Sequence, residues 1–226
     1  MFWDQTLIDL FRKTGFTAWP LLLCSVIAAA ITVERMIYFF KLNLDYERFG
    51  ERLFKFLREN KIKEALLFCR KHPNPIVRIA FLYLKNLNSN LRDSILSREG
   101  SIAMEKVEGR LRGLSAITHI APLLGLLGTV TGLVGAFHKI ELLGGQVQPE
   151  HLASGIWEAL LSTVFGLLVA IPCMAAYHSF ESQADRIARR MQTIVSELDE
   201  FFSKEATRYS YTKTFEVDDE ILKGAE

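Results

Sequence analysis

Gly113–Phe137 reads GLSAITHIAPLLGLLGTVTGLVGAF, and Ala159–Tyr177 reads ALLSTVFGLLVAIPCMAAY. Neither stretch contains an Asp, Glu, Lys or Arg. Each carries a stripe of small and hydroxyl residues. On the first it is Thr118, Pro122, Gly125, Thr129, Gly132 and Ala136. On the second it is Ala159, Thr163, Gly166, Ala170, Cys173 and Tyr177. Both stripes step alternately by four and three residues, so each stays on one face of a helix. In lipid a small face lets another helix backbone approach closely. Two such faces can serve two neighbours, as a closed ring requires. Any titrating carboxylate at this depth must then come from another chain.

Half of the 226 residues are hydrophobic, and they concentrate in three blocks. The remaining block is Thr17–Val33, followed by Glu34 and Arg35 and then Met36–Phe40. Each block reaches the roughly 17–25 residues that cross a bilayer. No strand alternation occurs anywhere. The expected fold is therefore an all-α integral membrane protein, with three transmembrane helices and long helical cytoplasmic extensions.

The formal net charge of +1 hides an asymmetry. Lys41–Arg112 holds 16 Lys or Arg against nine Asp or Glu, whereas His138–Trp157 has Lys139 alone against Glu141 and Glu150. Arg186, Arg189 and Arg190 follow the third block. The positive-inside rule places 41–112 and the C-terminus in the cytoplasm, and the N-terminus and the 139–155 loop outside. The spans are expected at 16–40, 113–138 and 156–180. The N-terminus lacks a basic leading region and an A-x-A-like cleavage site, so the first span is expected to be retained. Within 1–15, Phe2, Trp3, Leu7, Leu10 and Phe11 recur at helical spacing among polar residues. They predict an amphipathic helix on the outer membrane surface.

The cytoplasmic region predicts helices over Tyr46–Glu59, Ile62–Arg70 and Ile76–Leu87, with prolines 73 and 75 marking a turn. From Leu91 to Arg112 the helical pattern runs straight into the second span. In 181–226 a helix continues beyond the third span. Its stripe of Phe180, Ala184, Ile187, Met191, Ile194, Leu198 and Phe201 requires a partner, expected to be the Leu91–Arg112 helix or a neighbouring subunit. The tail from Tyr209 is polar.

Thr129 and Thr163 lie about 12–14 Å from the outer boundary at about 1.5 Å per residue. Two readings fit them: a polar ring lining a cavity within an oligomer, or helix packing in which hydroxyls bond nearby carbonyls. Glu158, near the start of the third span, suits a helix N-terminus and equally an entry-site acid. Gly125, Gly128, Gly132 and Gly166 read as packing positions. Pro122 and Pro172 are expected to kink their spans. Glu34 and Arg35 read as an inner-end anchor through ion pairs. His119 lies well inside an apolar segment, where a buried imidazole can stay neutral and bond a hydroxyl; a proton-relay role is the lesser reading. Cys24, Cys69 and Cys173 and the scattered histidines show no metal-ligand spacing. No catalytic constellation appears, so no enzyme activity, cofactor, metal or nucleic-acid partner is expected.

Ala121–Val130 (APLLGLLGTV) resembles the second-span signature of the ExbB/TolQ/MotA family. Gly155–Thr163 (GIWEALLST), continued by Gly166, Leu167, Ala170, Ile171, Pro172 and Tyr177, resembles the third. The length and short N-terminus look like the ExbB and TolQ branches, and a MotA-like flagellar stator subunit is an alternative. The resemblance implies a pentameric proton-channel subunit of the bacterial inner membrane, with its outer loop in the periplasm. It implies an ExbD- or TolR-like single-span partner that supplies the membrane Asp. A TonB- or TolA-like protein would carry force to outer-membrane transport or envelope maintenance. The pore-lining threonines of the family correspond to Thr129 and Thr163, and its acid to Glu158. Two positions depart from the pattern: Thr131, where many relatives have Trp, and His119. A non-conducting scaffold remains the structural alternative.

Overall fold

Three helices are long and apolar enough to cross a membrane, and among the described residues there is no strand. The structure is a computed structural model and describes residues 15–42, 44–70, 72–142 and 149–223. The amphipathic helix expected over 1–15 lies outside them, apart from Gly15. The chain divides into two units. Met1–Lys41 with Lys106–Gln183 forms one, and Leu42–Glu105 with Ala184–Glu226 forms the other.

In the first unit a 3-10 turn, Gly15–Thr17, leads into α1 (Ala18–Lys41). Ala18, Leu21, Ala28, Arg35 and Phe39 form the buried face of α1. It packs along α6 (Leu111–Leu142), and Phe39 stacks on Phe180 with ring centroids 5.6 Å apart. The opposite face exposes Leu22, Leu23, Val26, Ile27 and Val33. Such a large apolar surface marks contact with lipid or other membrane helices.

The helical pattern expected to run unbroken from Leu91 to Arg112 is interrupted. Helix α5 ends at Glu108, Gly109 and Arg110 form a turn, and α6 begins at Leu111. The reason lies on α1. The Arg35 guanidinium is buried and donates to the carbonyls of Val107 at 2.9 Å and Lys106 at 3.3 Å. A cation satisfies the orphan carbonyls of a helix C-terminus and complements its dipole. Glu34, beside it, pairs with Arg110 in the turn. Glu34 also lies 3.8 Å from Arg35, so the expected anchor is two ion pairs on Glu34 plus a helix cap from Arg35.

The second unit contains α2 (Tyr46–Arg58), α3 (Ile62–Arg70), α4 (Pro75–Lys85), most of α5 (Arg92–Glu108) and the later part of α7 (Pro149–Lys223). Asp45 accepts from the Arg48 amide to cap α2. Asn74 caps α4 ahead of Pro75 and also donates to the Leu42 carbonyl at 2.8 Å. These are ordinary helix-start signals. The stripe Ala184, Ile187, Met191, Ile194 and Leu198 is buried as expected. Its companions are more varied than the one helix anticipated. Phe54 of α2 meets Phe201, and Tyr83 of α4 stacks on Phe202 and donates to Asp199 at 2.6 Å. A groove of about 530 Å³, lined by Leu96, Gly100, Met104, Met191 and Val195 among others, lies between α5 and α7.

Helix bounds also shift. Helix α6 reaches Leu142 and α7 starts at Pro149, so both invade the loop expected at 139–155. Pro149 suits a first helical position because its missing N–H has no intrahelical acceptor there. Helix α7 continues to Lys223, through the tail expected from Tyr209. Pro122 and Pro172 lie inside continuous helices.

Candidate functional site

The small-residue stripes of α6 and α7 face each other within one chain. A Cβ added to Gly125 would sit 3.0 Å from the Ser162 carbonyl oxygen and 3.1 Å from the Thr163 Cα. One added to Gly166 would sit 2.8 Å from the Ala121 oxygen and 3.0 Å from the Gly125 Cα. A Cβ added to Gly132 would sit 3.0 Å from the Ala159 Cβ, and one added to Gly155 2.6 Å from the Ala136 Cβ. One added to Gly128 would run into the Ser162 side chain and sit 2.8 Å from the Thr17 hydroxyl. The register runs antiparallel, from 136 opposite 155 to 121 opposite 166. Only glycine permits backbone contact this close. The glycine faces therefore serve the interior of one protomer rather than two neighbouring subunits.

Ser162 is the residue that sequence reasoning missed. It is fully buried at the centre of this seam. Its hydroxyl donates toward the Ala159 carbonyl at 2.6 Å and the Gly125 carbonyl at 3.1 Å. Thr163 joins it, donating to Gly125 at 3.2 Å. The available signal was a hydroxyl at position 162 opposite Gly128, visible only once the antiparallel register is known.

Thr129 and Thr163 are each half-buried, beside the seam. Thr129 donates to the Leu126 carbonyl of its own helix at 2.6 Å. No hydrogen bond joins the two threonines among the described residues. The register nevertheless puts them at one depth, because Gly128 lies opposite Ser162. Glu158 is exposed and makes no ion pair among the described residues. Pro122 is half-buried, Pro172 is exposed, and neither enters the seam contacts. Thr131 is exposed and, among the described residues, bonds carbonyls of its own helix. His119 is also exposed, with Nδ1 2.8 Å from the Ser115 carbonyl oxygen.

At the far end of the stripe, Tyr177 donates to Glu181 Oε1 at 2.7 Å, and His178 Nδ1 lies 3.0 Å from Glu181 Oε2. The tyrosine and histidine hold the Glu181 carboxyl below the usual carboxylate range, the Tyr177 hydrogen bond contributing most.

This geometry has counterparts. The sequence pattern that describes the MotA/TolQ/ExbB proton channel family matches residues 71–193. The chain belongs to that family. The matched range contains both stripes, the seam and both threonines. Among individual relatives, the biopolymer transport protein exbB1 of Vibrio cholerae is 29% identical over 193 residues, 83% of this chain and 85% of that one. An ExbB-like biopolymer transport protein of Synechocystis is 31% identical over 206 residues, 88% of this chain and 81% of its own length. The Tol-Pal system protein TolQ of Haemophilus influenzae is 27% identical over 221 residues, covering 90% and 96%. With its three apolar helices, this member of the proton channel family is a multi-pass membrane protein.

Proposed function

We propose that the protein is the ring-forming, proton-conducting subunit of a bacterial inner-membrane motor. Five copies would surround an ExbD- or TolR-like partner whose single span carries an aspartate. A TonB- or TolA-like protein would transmit force to outer-membrane transport or envelope maintenance. The Lys/Arg asymmetry supports a periplasmic N-terminus and a cytoplasmic C-terminus.

The observation that carries this reading is the placement of Thr129 and Thr163. They are half-buried at one depth, within spans that have no carboxylate of their own. Each directs its hydroxyl proton to a backbone carbonyl, Thr129 to Leu126 and Thr163 to Gly125. What each offers outward is therefore oxygen lone pairs. A protonated aspartic acid can donate to such an oxygen, whereas a carboxylate cannot unless the hydroxyl turns. Charge on the aspartate also raises its cost beside apolar surface. The wall thus favours the neutral partner acid over the charged one, and cyclic protonation alternates the preferred position of the central helices. Glu158, exposed at the outer end of the third span, would gather protons at the entry.

The same hydrogen bonds favour a second reading, a non-conducting scaffold in which the hydroxyls only fasten helices. Proton flux in liposomes separates the two. The chain alone should conduct poorly, and its complex with the single-span partner should conduct. Thr163→Val keeps the shape while removing the hydroxyl, so the oligomer should persist while flux falls. Full flux in Thr163→Val would favour the scaffold.

A further inference from the structure

We propose that Tyr177, Glu181 and His178 form the station from which protons leave the channel at its cytoplasmic end. This inference rests on the proton-channel reading and extends it to groups that reading does not use.

Three observations meet at this point. Tyr177 is two heptads beyond Thr163, about 21 Å along the same helix stripe at about 1.5 Å per residue. No Asp, Glu, Lys or Arg occurs between Glu158 and Glu181, so Glu181 is the first carboxylate on α7 beyond its apolar length. Both oxygens of Glu181 are engaged, one by the Tyr177 hydroxyl at 2.7 Å and the other by His178 Nδ1 at 3.0 Å. Tyr177 and Glu181 are half-buried while His178 is exposed, so the cluster runs from the helix packing to the surface through His178. The facing helices add to this corner. The Tyr177 hydroxyl lies within reach of the Ser115 side chain of α6, and Glu108 of α5 is near enough to act on it electrostatically. His119 is joined to the same Ser115 through its carbonyl.

The chemistry balances without a co-reactant. A proton arriving from pore water bonds to the Tyr177 oxygen as the original O–H bond breaks and its proton passes to Glu181 Oε1. The tyrosine ends neutral, as it began. The resulting carboxylic acid releases its proton to water, or to His178, whose imidazolium then releases it. An i,i+4 tyrosine–carboxylate pair on a helix is otherwise a small stabilising contact, and a purely structural role would not respond to proton acceptors in solution.

The test uses the native complex, purified through a tag on this chain and oriented in liposomes, with proton flux read by an internal pH dye. Glu181→Ala and Tyr177→Phe should lower flux by about a hundredfold, the lower end of what a positioned proton-transfer group contributes. Oligomer mass should be unchanged. A high concentration of an impermeant zwitterionic buffer on the cytoplasmic face should restore much of the Glu181→Ala flux. The same buffer on the periplasmic face should not, and Tyr177→Phe should stay low under either condition. Wild-type flux in Glu181→Ala, or a loss that cytoplasmic buffer leaves untouched, would overturn the inference while leaving the channel reading intact. A wild-type complex that conducts nothing would overturn both.

Discussion

Gly166→Ala adds one methyl group where the seam brings backbone atoms closest to a new Cβ. The new Cβ would lie 2.8 Å from the Ala121 oxygen and 3.0 Å from the Gly125 Cα. Both obstacles are backbone atoms, so no side chain can swing aside. Carbon atoms rest about 3.5–4.0 Å apart, so α6 and α7 must separate by about 0.5–1 Å. The Thr163 hydrogen bond to the Gly125 carbonyl, already 3.2 Å long, would then exceed bonding distance. Overpacking of this kind costs about 1–3 kcal/mol, and the lost hydrogen bond about 1 kcal/mol more. The gain in helix propensity returns about 1 kcal/mol. A net loss of roughly 1–3 kcal/mol follows.

Gly135→Ala is the matched control. It makes the same change in the same helix pair, but nothing lies within 4 Å of its added Cβ. Only the propensity gain, up to about 1 kcal/mol, applies there. Thermal unfolding of the two variants in a mild detergent should shift in opposite directions from the parent protein. If both shifted the same way by similar amounts, or if Gly166→Ala unfolded with the parent, close backbone contact between α6 and α7 would not be what those glycines are for.

Two further outcomes are expected. With the native cysteines replaced, Gln148→Cys should react with an impermeant thiol reagent in intact spheroplasts and Ser210→Cys should not; the reverse pattern would sink the proposed topology. Burial pushes the Cys69 thiol up to about 12 from an unperturbed value of 9.0. The unfolded chain therefore loses this proton first as pH rises. The contribution of Cys69 to stability should be complete below pH 9.0 and decline between 9.0 and about 12. Denaturant titrations should give a shallower alkaline decline for Cys69→Ala, and an identical decline would remove Cys69 as a cause.

The membrane helices were legible because hydropathy and charge act locally. An uncharged run of this length has few homes outside lipid, and no distant contact is required to recognise it. The helices of the second unit were legible for a similar reason, since amphipathic pattern and a turn such as that at Pro73 and Pro75 act over a few residues. The break after Glu108 was not. Nothing in Arg92–Arg112 opposes a helix strongly, apart from the glycines, and the group that receives the freed carbonyls is Arg35, 72 residues from Val107. Ser162 stayed hidden for the same reason. Its importance depends on which residue of α6 stands opposite, and periodicity gives the face of a helix without its register against another.

That limit changes what the stripes mean for assembly. Read singly, each small face offered a surface to a neighbouring subunit. Paired in one antiparallel seam, the two faces consume each other, and Gly125, Gly128, Gly132 and Gly166 lock a two-helix unit. The exposed surface at the depth of the threonines then consists mainly of large apolar side chains, among them Leu126, Leu127, Val130, Leu160, Val164 and Leu167. In the proposed ring, subunit contacts and lipid contacts would divide these. In the proposed assembly, polar contact with a central helix would fall at the edge of the seam, where Thr129 and Thr163 remain half-buried, and at the exposed Thr131 beside it. The seam accordingly makes the hydroxyls scarce and fixes their positions. In that assembly a partner acid moving across this surface would meet apolar side chains almost everywhere, and hydrogen-bonding oxygens along the seam edge and at Thr131.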